Sequence, residues 1–381
     1  MKKRILFVND EMQVGGVSKV LNNLLLRLDK NKYDVSLLVL HCQGEMIKEI
    51  PSYVNVIEGP TFFDVCDMPF GLLIKNHQYL SVIKKIIFFL SIKTGLITPL
   101  IKFQRNKMHI NGYDTEIAFK EGICSIFVSA GDSLNKINWI HADYKVKNYA
   151  SNYMTTMCKI LKKFNHHVAV SEVAAKSFKE VFNLNEDVLT IHNIIDCQDI
   201  INKAQEDVLF RDERFSFLSI GRLHPQKSYD RLIMAASKLK AENYNFAVYI
   251  IGDGELKEEL IKLSEKYNVL ENVIFLGAQS NPYKYLKQAD CSVLSSLYEG
   301  IPTVVYESLI LHVPVISTKV AGVDEQITDK IGMIVENDVD SLYLGMKEIL
   351  NSPKKIEEYK SNLSSYIYDN DKILKSIDRI L

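Results

Sequence analysis

Glu299 and Glu307 stand eight residues apart in the run Tyr-Glu-Gly-Ile-Pro-Thr-Val-Val-Tyr-Glu-Ser-Leu that begins at Tyr298. The run follows a short apolar segment, Cys291 to Leu294, that reads as a buried strand. Gly300 permits a tight turn, and Pro302 suits the first turn of a helix, where its missing N–H costs nothing. One carboxylate then sits on the loop and the other about a turn and a half into the helix. Between them lies a helix N-terminus whose free N–H groups favour a phosphate. Two carboxylates able to bind hydroxyls around an anion site fit a sugar nucleotide. By spacing alone, the run also fits a strand–turn–helix unit with two surface glutamates.

A second group of candidates lies upstream. Phe215 to Ile220 reads as a strand, and Gly-Arg-Leu-His-Pro-Gln-Lys-Ser follows at 221–228. Ligands of open α/β sheets bind at the carboxyl ends of strands, which is where Arg222 and Lys227 fall. Two cations there can neutralise a diphosphate, the guanidinium through paired donors and the ammonium as a point charge. Alone, the loop equally fits a solvated turn; beside the Glu299–Glu307 element, the anion site is the stronger reading. Three look-alikes carry less. Gly252-Asp-Gly254 lacks the third glycine of a dinucleotide fingerprint, since Lys257 holds that place, and reads as a strand–helix turn. Asp369-Asn-Asp371 mimics a metal-binding Asp-x-Asp but lies in a polar tail, and His166-His167 has no third ligand at zinc-like spacing. No catalytic metal and no cofactor are expected.

The elements that must position these groups alternate between strand and helix. Ile5 to Val8 is an apolar run, followed by a Gly15-Gly16 loop, then Val17, Val20, Leu21, Leu24, Leu25 and Leu28 at helical spacing, and a strand pattern from Val35 to Leu40. Further strand patterns follow at Thr115–Phe119, Ile137–Ile140, Val168–Val170 and Leu189–Ile191. The second half adds Phe246–Ile251, Val273–Leu276, Val315–Ser317 and Met333–Val335. Such alternation argues parallel sheets covered on both faces. The 381 residues, 47% hydrophobic and 24% charged, make a soluble globular chain long enough for two domains. Net charge is −1, but residues 1–195 carry 24 Lys and Arg against 18 Asp and Glu, and the remainder 22 against 29. Halves of opposite sign suggest domains with different partners. The expected class is α/β, with two doubly wound Rossmann-like domains facing across a cleft. Their expected bounds are 1–200 and 201–360, with a linker at Asp196–Arg214 and a helical tail at 361–381.

Six scattered cysteines without a Cys-x-x-Cys pair argue for a reducing compartment. The basic start leads into only four apolar residues, too few for a signal peptide, so a cytoplasmic protein is expected. From Met68 to Tyr113 there is no Asp or Glu, whereas Lys75, Lys84, Lys85, Lys93, Lys102, Arg105 and Lys107 are present among aromatic and aliphatic residues. Residues 70–107 therefore fit an interfacial helix on an anionic membrane surface, or else a buried helical hairpin with solvated lysines. No apolar run approaches the ~18–20 residues needed to span a bilayer. No nucleic-acid motif accompanies the basic patch, so no nucleic-acid partner is expected.

With these residues in place, the second half resembles the nucleotide-binding domain of family 4 retaining glycosyltransferases of GT-B fold. The matching pieces are Gly221-Arg-Leu-x-x-x-Lys with Asp230 and Leu232-Ile233, Ile251-Gly-Asp-Gly, Val273-x-Phe-Leu-Gly, Glu299-Gly-x-Pro-x-x-x-x-Glu and Pro314-Val-Ile-Ser-Thr. In the first half, Gly15-Gly16, Trp139-Ile-His, Val170-Ser-Glu and Ile191-His-Asn-Ile-Ile-Asp match more loosely. The resemblance implies that Arg222 and Lys227 hold the diphosphate of a nucleotide-sugar donor, expected to be a UDP-sugar. By the same resemblance Glu307 binds its ribose, Glu299 contacts the transferred sugar, and backbone N–H groups of the Ile301-Pro302-Thr303 segment help position the donor. Gly16 would let a first-half loop approach the donor or acceptor, and His141 would lie near the reacting face of the sugar. Implied too is a retaining hexosyl- or N-acetylhexosaminyl-transfer to a glycan, lipid-linked in keeping with the basic apolar segment, at the inner face of the cell membrane. Were the reaction inverting, His141 or Asp143 would be the first candidate bases. Ser228, His312 and Ala321 depart from the family pattern, which has a glycine after the lysine, a small residue before Pro314 and a glycine pair at 321–322. Two rival readings are a non-catalytic partner of an active transferase and a sugar-nucleotide epimerase.

Overall fold

The computed structural model describes residues 1–41, 43–60, 62–63, 70–145 and 154–381, so Cys42 and Cys66 lie outside them. These residues form two units, Met1–Ile194 with Asn370–Leu381, and Ile195–Asp369. The linker expected at Asp196–Arg214 instead contains the helix Cys197–Lys203, capped by the Asp196 carboxylate accepting from Asp199 N at 3.1 Å. The expected tail also divides: the helix Pro353–Leu363 stays with the second unit, and Asn370–Leu381 joins the first.

Ile5, Leu6, Phe7 and Val8 are all fully buried, as a central parallel strand covered on both faces requires. They form β1 (Lys3–Asn9), joined through α1 (Gly16–Arg27) to β2 (Tyr33–Val39) and β3 (Asn55–Glu58). The short, largely exposed β3 carries no apolar run, which is why its sequence does not announce a strand. Three helices, α2 (Phe70–Lys75), α3 (Tyr79–Thr94) and α4 (Ile97–Lys107), then carry the chain to β4 (Thr115–Ala118). With β5 (Asn135–Ile140), β6 (His166–Ala169) and β7 (Val188–Thr190) the sheet is parallel throughout, in the order β3-β2-β1-β4-β5-β6-β7. The topological switch point lies between β1 and β4.

A buried ion pair ties α4 to this sheet. Arg105 Nη2 donates to Glu116 Oε1 at 2.8 Å, with the two side chains 3% and 0% exposed. The last helix, Asn370–Asp378, is fastened to the same unit. Lys32 and Tyr33 donate to Asp378, Thr115 Oγ1 donates to the Leu381 carbonyl at 2.7 Å, and Asn135 Nδ2 donates to the Ile380 carbonyl at 2.7 Å. Ile377, Ile380 and Leu381 are buried there.

The second unit repeats the plan with β8 (Phe215–Ile220), β9 (Phe246–Ile251), β10 (Val273–Gly277), β11 (Cys291–Leu294), β12 (Val315–Thr318) and β13 (Gly332–Val335). Its order is β10-β9-β8-β11-β12-β13, again with every pair parallel. The switch point falls between β8 and β11, the two strands whose following loops carry the candidate cations and Glu299. Among the described residues no helix is long and apolar enough to cross a membrane.

Candidate active site

The loop after β8 and the loop after β11 emerge side by side because their strands are neighbours, and several polar bonds lace them together. Lys227 Nζ donates to Glu299 Oε1 at 2.6 Å, and Ser296 Oγ donates to the same oxygen at 2.7 Å. Gln226 Nε2 donates to the Tyr298 carbonyl at 2.9 Å and reaches Glu299 Oε2 at 3.4 Å. Ser295 Oγ donates to the Lys227 carbonyl at 2.8 Å, and Leu297 N to the Gln226 carbonyl at 2.8 Å. Lys227 and Glu299 thus form one half-buried ion pair that joins the two loops. Arg222, on the same loop as Lys227, is exposed and makes no ion pair or side-chain hydrogen bond among the described residues, so its five donors are available to an anion.

The Arg222 loop rests on Gly252-Asp-Gly254, the segment read from sequence as a turn. Leu223 N donates to the Asp253 carbonyl and Leu256 N to the Leu223 carbonyl. A Cβ at Gly252 would stand 1.9 Å from the Gly221 carbonyl oxygen, and one at Gly254 2.4 Å from that of Leu223. These glycines permit a close backbone approach that fixes where Arg222 begins.

Glu307 is the fifth residue of the helix Thr303–Ile310 and is 5% exposed. Pro302 lies just before the helix and not in its first turn: it is the N-cap, with extended ψ. No side chain caps this helix, which leaves its first-turn N–H groups to other acceptors. Ile301 packs against Gly322, where a Cβ would come within 2.9 Å of Ile301 Cγ1, so the second glycine of the Ala321-Gly322 pair is sterically required. Ser228 and His312 both hold left-handed backbone, with φ of 47° and 59°. That conformation costs a residue with a side chain about 1 kcal/mol, which accounts for the glycine and small-residue preference of the pattern at these two positions. The His312→Gly variant is expected to melt a few degrees higher (about 1 kcal/mol). Ser228→Gly gains less, because it also removes the bond from Ser228 Oγ to Asp230 Oδ1.

In the first unit, Gly16 and His141 lie at the carboxyl ends of β1 and β5, on either side of the residues that follow β4. Gly16 opens α1 without a side-chain cap, and a Cβ added there would meet nothing within 4 Å. Lys120 forms an ion pair with Asp10 on the β1 loop. His141 N donates to Glu121 Oε2 at 3.3 Å, and its ring packs against Phe119, centroids 5.0 Å apart. Burial lowers the His141 pKa to about 4, against the opposing pull of the Glu121 carboxylate. The imidazole is therefore neutral at pH 7, and its buried Nε2 has no hydrogen-bond partner among the described residues. Asp143 accepts from Lys145 N at 3.0 Å.

His166 and His167 are neighbours on β6, and alternation sends them to opposite faces of the sheet. His167 packs between Phe164 and Phe178, and burial lowers its pKa to about 4 as well. Both buried histidines have folded values below the unfolded value of 6.5, so between pH 6.5 and 4 the unfolded chain binds more protons. Their stabilisation is complete above this window and lost as pH falls through it, by about 3 kcal/mol each. Urea midpoints measured from pH 7 to pH 4 should fall, and His167→Gln should flatten the slope.

At the switch point of this doubly wound sheet stand the paired Lys227 and Glu299 and, on the same loop as Lys227, a guanidinium with no side-chain partner among the described residues. Residues 201–366 match the family of glycosyl transferases group 1. MJ1059 of Methanocaldococcus jannaschii, an uncharacterized glycosyltransferase, is 36% identical over 186 residues, covering 48% of this chain and 45% of the relative. The N-acetylgalactosamine-N,N'-diacetylbacillosaminyl-diphospho-undecaprenol 4-alpha-N-acetylgalactosaminyltransferase of Campylobacter jejuni is 34% identical over 186 residues, covering 48% of this chain and 50% of the relative. The chain thus spans about half the length of these two curated relatives. Anabaena Alr3699/HepE, solved in complex with UDP, matches with a TM-score of 0.71 over 100% of this chain and 99% of its own, at 16% identity. The fold is that of GT-B glycosyltransferases.

The sequence reading names Arg222, Lys227 and Glu299 as candidates but not Ser296 or Gln226, the two further groups that bond the Glu299 carboxylate. The Ser295-Ser296 pair directly after β11 is the signal for one of them, since small hydroxyls at a strand end can reach a neighbouring loop. Nothing local marks Gln226.

Proposed function

We propose that the chain is a glycosyltransferase of cell-surface polysaccharide synthesis, moving a hexose or N-acetylhexosamine from a UDP-sugar to a lipid-linked glycan with retention. The observation that carries this reading is the Lys227–Glu299 pair beside the unpaired Arg222. Arg222 and Lys227 take the donor diphosphate, Glu299 takes hydroxyls of the transferred sugar, and Glu307 the ribose. The Ile301-Pro302-Thr303 segment offers the helix N-terminus to the same donor. As the anomeric C–O bond breaks, its electron pair leaves with the diphosphate oxygen. The two cations stabilise that charge as it grows, in a geometry already set before the reaction. The acceptor oxygen bonds to the anomeric carbon on the face the leaving group vacates, and its proton passes to a leaving phosphate oxygen, so no protein base and no metal are called for. The Campylobacter relative's name, which specifies a diphospho-undecaprenol acceptor, and the UDP bound by HepE support the choice of substrates.

The test is slow donor hydrolysis scored across UDP-, GDP- and ADP-sugars with and without EDTA, followed by NMR of the anomeric proton in the transferred product. Turnover of one UDP-sugar despite EDTA, with the donor's anomeric configuration kept, is the expected result. Inversion, EDTA sensitivity, or neither turnover nor binding across the panel each counts against the reading. The last of these would favour a non-catalytic partner.

A further inference from the structure

We propose that the outer face of α3, with Phe103 of α4, seats this chain on the surface of an anionic lipid bilayer. α3 is apolar on both sides. Phe88 and Ile92 face the core of the first unit, whereas Leu80 (78%), Ile83, Ile86, Ile87 and Leu90 (55%) are exposed. At 100° per residue these five form one continuous stripe, the i, i+3, i+4, i+7 pattern that ordinarily marks a buried face. Phe103 on α4 is 64% exposed as well. A patch of this composition marks a contact surface.

Its charge selects the occupant. The whole segment from Met68 to Tyr113 has no acidic residue, and Lys93, Lys102 and Lys107 are exposed on these helices. On the α3 wheel Lys84 and Lys93 flank the apolar stripe on its two sides, the places from which long side chains reach phosphate headgroups. A second copy of this chain would set lysines against lysines across the contact. An anionic bilayer complements both the stripe and its cationic margins. With 16 residues, α3 is too short to span, so it lies in the interface. The inference stands independently of the catalytic reading, and its test needs no turnover.

The full chain is floated with vesicles of phosphatidylcholine alone or of an equimolar phosphatidylcholine–phosphatidylglycerol mixture, at low and high salt. Recovery should be at least about tenfold higher with the anionic vesicles and should fall with salt. An Ile83→Ser/Ile87→Ser/Leu90→Ser variant should lose about tenfold or more of that binding, with unchanged melting temperature. Lys93→Glu/Lys102→Glu, which keeps the stripe, should lose the preference for anionic vesicles. Equal recovery with both vesicle types, or none, overturns the proposal. So does a dimer in light scattering that the serine variant dissolves, because a second copy would then cover the face.

Discussion

Replacing Arg222 with alanine is expected to lower kcat for donor hydrolysis and for transfer by about a hundred- to a thousandfold, the loss typical of removing one preorganised donor to a developing oxyanion. The same variant should melt within a degree or two of the parent. Arg222 is exposed and has no partner among the described residues, so nothing in the fold is left unsatisfied by its loss. That separation makes it a cleaner probe than Lys227. Removing the Lys227 ammonium also strips Glu299 of its 2.6 Å partner, leaving the carboxylate to Ser296 and the longer contact from Gln226. Lys227→Ala should therefore lose activity and stability together, and Arg222→Ala activity alone. Saturating-donor kinetics beside thermal melts distinguish the two. An Arg222→Ala enzyme within twofold of the parent would falsify the placement of its guanidinium on the leaving diphosphate.

The largest loss of stability is expected from Arg105→Met. Glu116 is fully buried, and burial pushes its pKa up while the Arg105 guanidinium pulls it down. Without Arg105 the carboxylate keeps the desolvation penalty and loses the compensation, which costs about 3–5 kcal/mol. Little room exists for relaxation, since even a Cβ at Gly131 would lie 2.3 Å from Glu116 Oε2. The cost should shrink in acid. An orphaned carboxyl has a folded pKa above its unfolded value, so its contribution is present at low pH and lost as pH rises through the folded value. The double variant Arg105→Met/Glu116→Leu should recover most of the loss, because a well-packed apolar pair can replace a buried ion pair at little cost. Urea unfolding of the three proteins at neutral and acidic pH measures all of this. If single and double variants are equally unstable, lost packing and not the stranded charge is responsible.

Strands buried on both faces are the most legible part of this molecule. Phe215–Ile220, Phe246–Ile251 and Cys291–Leu294 run in the structure over the spans read from their apolar runs. Arg222, Lys227 and Glu299 are legible for the related reason that they sit at the ends of those strands. What joins them is not: Lys227 and Glu299 are 72 residues apart in the chain, and only the neighbourhood of β8 and β11 at the switch point brings them into contact. Pro302 shows the limit of local rules, being equally at ease at the first helical position and at the N-cap it occupies. The segment after Asp369 is the clearest failure. Its apolar residues at 373, 374, 377, 380 and 381 announce an amphipathic helix, but no local pattern says which core receives it.

That destination bears on how the chain is made. With Asn370–Leu381 belonging to the first unit, the whole of Ile195–Asp369 is an insertion within it. During synthesis the inserted unit has both its ends and all six of its strands before the helix that closes the first unit leaves the ribosome. The usual order, in which the N-terminal domain folds first, is therefore reversed for the final step. The N-terminal sheet waits, with the places later taken by Ile377, Ile380 and Leu381 uncovered, until the whole inserted unit has been made.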